Sequence, residues 1–305
     1  MFSSHCPLCG GEEFSFFLSA GPVQNRNNYD LLNCSSCGLV QTLRKGEDST
    51  YPPELNYKSS EVQKSLIKWL EFFYINLRWK QEVYFLKKFL PDGAILLDVG
   101  SGNGLFLAEL QRHKIYAEGI DKYIDMTSIA VNSVKIHKVD IESNHLPEKT
   151  YDCITLFHSL EHFKNPAHVL KKLRQVLNEG GLLLVQLPNI DSWQFMVFKK
   201  RWFHLFLPYH NYHFSTETLK KLLLNNGFSI VHVRHFSNRW NAEGWSASLL
   251  KKNPVWFLKA KSSGKGTLLA ELIYFFVTIL FFPLALLESL FKKGGVITVI
   301  ARRNA

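Results

Sequence analysis

The sequence predicts an α/β protein: a doubly wound, mostly parallel seven-stranded sheet preceded by a small cysteine-rich module. Three observations carry that prediction. From residue 94 onward, short apolar runs alternate with amphipathic helical patterns. Two Cys-x-x-Cys units crowd the N-terminal stretch. Of the 305 residues, 46% are hydrophobic, enough to bury a full core.

The cysteine module comes first, over residues 1–50. Cys6-x-x-Cys9 and Cys34-x-x-Cys37 are each followed by glycine, in CPLCGG and CSSCGL. Two intervening residues let both thiolates of a unit reach one metal from a tight turn. Four thiolates in a tetrahedral array suit Zn²⁺ and leave no open position, so the site is read as a structural zinc ribbon. A redox pair is the weaker alternative, since neither unit opens a helix in a βαβ pattern. Cys153 lies in an apolar strand pattern and reads as a core thiol. The N-terminus lacks a basic segment followed by an apolar one, so a cytoplasmic setting with reduced thiols is expected.

After a linker at TYPPELNY, residues 58–305 form the larger unit. A helical stretch from Lys58 to Leu90 stops before Pro91-Asp92-Gly93. Strands are expected at 94–99, 115–121, 134–140, 151–157 and 181–188, with a helix from Leu105 to Arg112 and another up to about Val131. Asn165 caps a helix with Pro166 at its first position. Val169, Leu170, Leu173, Val176 and Leu177 share one face of that helix, which is expected to stop at Gly180-Gly181. A helix from Ser215 to Asn226 leads through Gly227 into FSIVHVRHF, and GGVITVIARR supplies the last strand. Continuous apolar strands alternating with helices imply a parallel sheet covered on both faces.

The chemistry concentrates in LLDVGSGNGLF, residues 96–106. A dinucleotide fold wants G-x-G-x-x-G, with the third glycine three places after the second. Here Gly100, Gly102 and Gly104 alternate, and position 105 is Leu. A G-x-G-x-G turn preceded by an acid fits S-adenosylmethionine, whose amino-acid end and sulfonium want close backbone and a nearby carboxylate. Asp98, Asp121 and Asp140 close three successive strands, so all three acids are expected along one crevice at the carboxyl edge of the sheet.

These residues carry a resemblance. LLDVGSGNG, the GID ending at Asp121, the block YDCITLFHSLEHFKNPAHVLKKLRQVLNEGGLLLVQLPN and the segment YHNYHFSTETLKKLLLNNGF resemble class I S-adenosylmethionine-dependent methyltransferases. The match covers roughly Lys80 to Gly227 plus the final strand. A zinc ribbon ahead of such a core is found in relatives acting in sugar and surface-polysaccharide biosynthesis. The resemblance implies that Gly100, Gly102 and Gly104 line the methionine end of the cofactor and Asp121 the ribose. It places Asp140 and Ile141 at the adenine, with Phe157 and His158 closing over the cofactor.

Methyl transfer is an in-line displacement that requires alignment and exclusion of water. A hydroxyl acceptor also needs its proton removed, and histidine suits that near neutral pH. The catalytic candidates are His158 and His162, with His210 and His213 as further histidines that fit a structural role equally well. His158, Glu161 and His162 can share a helical face, which resembles the divalent-metal arrangement of some quinone O-methyltransferases. The alternative is that Glu161 and His162 brace the loop.

Residues 191–214 are crowded with aromatic and basic side chains and are expected to form a lid over the acceptor. Leu272 to Leu287 holds sixteen residues without a charge, interrupted by Pro283, inside an apolar insertion at 268–291. That is short of the roughly 20 residues needed to span a bilayer. The final strand must also return to the sheet. A helical hairpin or interfacial helix satisfies both constraints, with Lys259, Lys261, Lys265, Lys292 and Lys293 available to anionic headgroups. A core helix beneath the lid is the alternative. Net charge is +10, from 36 basic against 26 acidic residues, which favours an anionic partner. The sequence thus predicts methyl transfer to a small-molecule, glycan or lipid-linked acceptor, peripheral on the cytoplasmic membrane face. An RNA methyltransferase and a non-catalytic zinc-ribbon adaptor are the rival classes.

Overall fold

A computed structural model of the chain describes residues 5–21, 29–43, 66–124, 134–143, 146, 149–238, 240–250 and 268–305. The linker at 50–57, the helix expected to reach Val131, and Lys259, Lys261 and Lys265 lie outside these residues.

Eleven strands are seen among the described residues. The first three are β1 (Phe14–Ala20), β2 (Tyr29–Cys34) and β3 (Val40–Leu43). Then come β4 (Ile95–Val99), β5 (Tyr116–Asp121), β6 (Lys135–Lys138), β7 (Tyr151–Phe157) and β8 (Leu177–Pro188). The last are β9 (Tyr212–His213), β10 (Phe228–Arg234) and β11 (Val296–Arg303). Seven of them form one sheet in the order β10-β11-β8-β7-β4-β5-β6. Strands β6, β5, β4, β7 and β8 run parallel, while β11 and β10 pair antiparallel at the far edge. Strand order reverses on either side of β4, so the carboxyl ends of β4, β5 and β7 open a crevice at the switch point.

The helices obey local rules. α1 (Leu66–Lys87) precedes the sheet, and α2 (Leu105–Arg112) follows the glycine turn, burying Phe106, Leu107 and Leu110. α3 (Pro166–Val176) begins where the Asn165 side chain accepts the His168 N–H, and it buries Val169, Leu170 and Leu173. α4 (Trp193–Phe198) opens the lid segment. α5 (Thr216–Asn225) starts with a reciprocal capping box between Ser215 and Thr218. α6 (Trp240–Leu249), α7 (Leu268–Leu280) and α8 (Phe282–Leu290) complete the set.

Two boundaries differ from expectation. α3 stops at Val176, and Leu177 already pairs with Tyr151 of β7. The next partners are Cys153 and Leu182, so Gly180 and Gly181 lie in a bulge within β8 rather than in a gap before it. Strand β6 ends at Lys138, which leaves Asp140 in the loop just beyond it.

The cysteine module is not free-standing. β1, β2 and β3 form a second sheet whose fourth strand is β9, contributed from the lid segment. Cys6, Leu8, Cys34 and Leu39 share one continuous apolar cluster with Tyr212, Phe214, Leu222 and Leu223. The module thus borrows its core from the larger unit.

The apolar insertion folds as α7 and α8, which break at Phe281. Ile273–Leu290 averages a hydropathy of 2.1 over 18 residues, with only 11% of them buried, so by length and composition this stretch can cross a membrane. Phe276, Ile279, Leu280 and Leu290 are exposed. The opposite side is held tightly. Buried Glu288 accepts from Gln194 Nε2, Asn241 Nδ2, Trp245 Nε1 and the Gly295 N–H. Trp245 also stacks on Phe281 at 5.7 Å between ring centroids.

Candidate active site and cysteine centre

The crevice opens beyond the carboxyl ends of β4, β5, β6 and β7. Its floor is the turn after β4, through Val99, Gly100, Gly102 and Asn103. One side is the end of β5 with Asp121, Lys122, Tyr123 and Ile124, and the next is Asp140, Ile141 and Glu142 after β6. His158, Ser159, His162 and Phe163 close it from the loop after β7.

At Gly102 the backbone takes φ +52°, and nothing stands within 4 Å of where a Cβ would be. The space a side chain would fill therefore opens on the crevice, as expected of a turn that presents bare backbone to a ligand. Asp121 fixes this turn: its Oδ2 accepts the Gly102 N–H at 2.9 Å and its Oδ1 the Tyr123 N–H at 2.8 Å. Each carboxylate oxygen retains acceptor capacity for a ligand hydroxyl. Asp140 accepts the Glu142 N–H and pairs with Lys122 at 2.8 Å. Burial, the largest single influence, would raise its pKa, but the Lys122 hydrogen bond and charge together with the Glu142 N–H and Ser143 hydrogen bonds outweigh it and hold the carboxyl below the usual range. Ile141 is buried and lines the wall beside it.

Three expected cofactor residues stand elsewhere. Asp98 pairs in register with Thr155 on β7 and accepts its hydroxyl at 2.7 Å, so the carboxylate turns into the interior. It is 3% exposed and absent from the crevice wall, and burial pushes its carboxyl up to about 7. Strand alternation decides this: Val99 faces the crevice and Asp98 does not. Gly104 is a packing position, because a Cβ there would lie 2.8 Å from Ile136 and 2.9 Å from Val134. Phe157 packs in the core against Phe106 and Trp79, at 4.8 and 5.3 Å between ring centroids. It does not close over the crevice.

The histidines of the HSLEH turn do reach the crevice. His158 takes φ +53° and donates its backbone N–H to Gln186 O, and Leu160–His162 form a single 3₁₀ turn. Ser159, which sequence reasoning passed over, donates to Val99 O at 2.9 Å and joins the loop to the glycine turn. Glu161 is 1% exposed, and burial raises its carboxyl to about 7. His210 and His213 are buried, the first held well below its usual pKa and the second down to about 3, both chiefly by desolvation. Lys122, Tyr123, Glu142 and Phe163 were also missed. Each is within three residues of a predicted position, so adjacency in the chain was the available signal.

At the cysteine centre, Cys6, Cys9, Cys34 and Cys37 converge with all four Sγ atoms within 4.8 Å of one another. Cys6 lies 3.5 Å from Cys37, and Cys9 lies 3.6 Å from Cys34. Those separations are far beyond a disulfide. Tetrahedral bonds of about 2.3 Å to a metal would set sulfur atoms about 3.8 Å apart, so the four thiols fit a Zn²⁺ ion. The two knuckles repeat one backbone pattern, Gly10 N–H to Cys6 O and Gly38 N–H to Cys34 O. Cys153 is a free thiol in the core, as expected.

Residues 73–233 match the family described as a methyltransferase domain. (S)-tetrahydroprotoberberine N-methyltransferase from Eschscholzia californica is 30% identical over 119 residues, 34% of this chain and 32% of that protein. Ubiquinone biosynthesis O-methyltransferase from Coxiella burnetii is 26% identical over 113 residues, 35% of this chain and 48% of that protein. The chain thus spans about a third of the first relative and about half of the second. Among solved structures, a SAM-dependent methyltransferase from Archaeoglobus fulgidus gives a TM-score of 0.49 at 19% identity, covering 75% of this chain and 94% of that one. The family match takes in more than half of the residues, and it spans the strands and turns that build the crevice: the chain belongs to the methyltransferase-domain family.

Proposed function

We propose that the protein transfers a methyl group from S-adenosylmethionine to a small-molecule acceptor and that a structural Zn²⁺ holds its N-terminal ribbon. The vacant side of Gly102, opening on the crevice beside Asp121, carries this reading. Asp121 accepts the ribose hydroxyls, Gly100 and Gly102 admit the amino-acid end, and Asp140 and Ile141 flank the adenine. S-adenosylmethionine supplies an electrophilic methyl on its sulfonium. This chain's part is to align the acceptor and exclude water. His158 and His162, on the opposite wall, are placed to take the proton from an acceptor hydroxyl. The curated relatives are named for methylating an alkaloid nitrogen and for an oxygen methylation in ubiquinone biosynthesis, and both names support a small acceptor.

The acceptor side is proposed to face a cytoplasmic membrane surface, with a lipid-linked or glycan acceptor. Exposed Phe276, Leu280, Leu286, Leu287 and Leu290, next to Lys292 and Lys293, support this. The test is transfer of labelled methyl from S-adenosylmethionine to extract fractions, with flotation on anionic vesicles. Label in the lipid or small-molecule fraction and salt-sensitive flotation are expected. Label in RNA would remove the acceptor reading, and calorimetry showing tighter binding of NAD would remove the cofactor.

A further inference from the structure

The adenine side of the crevice hangs on a short support. β6 is four residues long and pairs with β5 at the edge of the sheet. The chain leaves that edge after Lys138, and Asp140, Ile141 and Glu142 line the crevice beyond it. An edge strand has ladder partners on one side, so it gives the loop at its end little hold.

The hold comes from α3. Glu142 Oε1 accepts the backbone N–H groups of Lys164 at 2.8 Å and Asn165 at 3.1 Å, at the N-terminus of that helix. A carboxylate is favoured there by the helix dipole. Two turns further along, Lys172 Nζ donates to Ile141 O at 2.8 Å and to Glu142 O at 3.2 Å. The Glu142 N–H is in turn accepted by Asp140 Oδ1 at 3.0 Å. Side chain and main chain of the loop after β6 are thus pinned to one helix.

That helix begins where the opposite wall ends. Lys164 and Asn165 directly follow His162 and Phe163, which line the crevice from the loop after β7. Tyr212 Oη donates to Lys164 O at 2.8 Å, so the same residue is anchored from β9 as well. One carboxylate therefore ties the adenine side to the end of the turn that carries the histidines.

We propose that Glu142 is a positioning residue for the cofactor: it sets the loop after β6 against the turn holding His158 and His162. This rests on the reading that S-adenosylmethionine binds in the crevice. With the clamp in place, Asp140 and Ile141 are ordered before the ligand arrives, and binding does not have to supply that ordering. Without it, the loss falls on the adenosine half of the ligand and spares the amino-acid end at the glycine turn.

The test is calorimetry on the full-length protein with S-adenosylmethionine and with 5′-methylthioadenosine, which keeps the adenosine and lacks the amino-acid end. Glu142→Ala should weaken both ligands by the same factor, about tenfold. Glu142→Gln keeps an oxygen acceptor in place and should recover most of that loss. A merely structural role would lower the melting temperature and leave both affinities of the folded variant unchanged, and that result would overturn the proposal. So would a loss confined to S-adenosylmethionine. If Glu142→Ala fails to fold, Lys172→Met removes the hold on Ile141 O and Glu142 O instead and is read with the same two ligands. Wild-type protein that binds neither ligand removes the cofactor reading and this proposal with it. Wild-type binding with unchanged affinities in the folded variant removes this proposal alone.

Discussion

The two walls of the crevice are built in different ways. The cofactor wall is local: a glycine turn, an aspartate that clamps it, and a loop one strand away, all set by neighbours in the chain. The opposite wall is assembled from afar. Its histidines lean on residues some fifty positions later, and the lid behind them hangs on Glu288, which gathers Gln194, Asn241 and Trp245. A backbone-made wall tolerates the loss of most side chains but not the gain of one at the turn. A wall made of buried polar contacts fails when one partner is removed, because the others are left desolvated.

The largest effect should come from the ribbon that supports the distant wall. Cys34→Ser should lose the zinc proposed for the four cysteines, and with it folding energy of about 10 kcal/mol or more at the N-terminal sheet. Metal analysis with proteolysis of residues 1–43 checks this, and an unchanged zinc content would remove the metal. Next, Glu288→Ala should destabilise the protein by about 3–5 kcal/mol, since it orphans three side-chain donors and a backbone N–H. Urea unfolding measures it, and a cost below about 1 kcal/mol would mean that α8 is loosely attached.

Gly102→Val acts on the other wall and in the other way. The new side chain occupies the ligand's space, so S-adenosylmethionine affinity should fall by about 100-fold, or about 2.7 kcal/mol. The left-handed backbone adds about 1–2 kcal/mol of destabilisation. Calorimetry on the folded variant decides, and affinity within a few-fold of wild type would place the cofactor elsewhere.

The smallest effect is a pH dependence at the junction of ribbon and lid. Burial holds the His213 imidazole at about 3 against an ordinary 6.5. Its folded pKa is the lower one, so the stability of the neutral ring is present above pH 6.5 and drains away as pH falls toward 3. Between pH 7 and pH 5 this one group should account for about 2 kcal/mol. His213→Gln should lose that much less over the same interval in unfolding titrations. Parallel curves for variant and wild type would show that the ring is hydrated.

Legibility in the sequence divides along the same line. α2 runs from Leu105 to Arg112 and β7 from Tyr151 to Phe157, as the apolar periodicity predicts. Asn165 caps α3 as its residue type and the following proline demand. The four cysteines meet because each knuckle turns its pair of thiols to the same side, in the tight turn that the Cys-x-x-Cys-Gly spacing demands. The misses are matters of facing and distance. Asp98 and Phe157 lie on the predicted strands, but strand parity and the Thr155 and Trp79 partners turn them inward. His210 was noticed, yet its approach to Glu161 depends on a loop crossing that leaves no periodic trace. β9 is two residues long and carries no strand signal at all. The run Leu272–Leu287 read as uniformly greasy, and its anchor is Glu288, the residue that ends it.

That two-residue strand makes the ribbon a buttress. From β3, Thr42 donates its backbone N–H to Asn211 O and its hydroxyl to His210 O. Asn211 in turn donates its backbone N–H to Glu161 O and its amide to the carbonyls of His162 and Phe163. Two residues therefore span the distance from the cysteine sheet to the crevice lining. Any displacement of that sheet is delivered to the turn that holds His158 and His162, with little slack to absorb it. A thiol-reactive agent that springs the knuckles apart should therefore act on the acceptor side of the crevice through a lever.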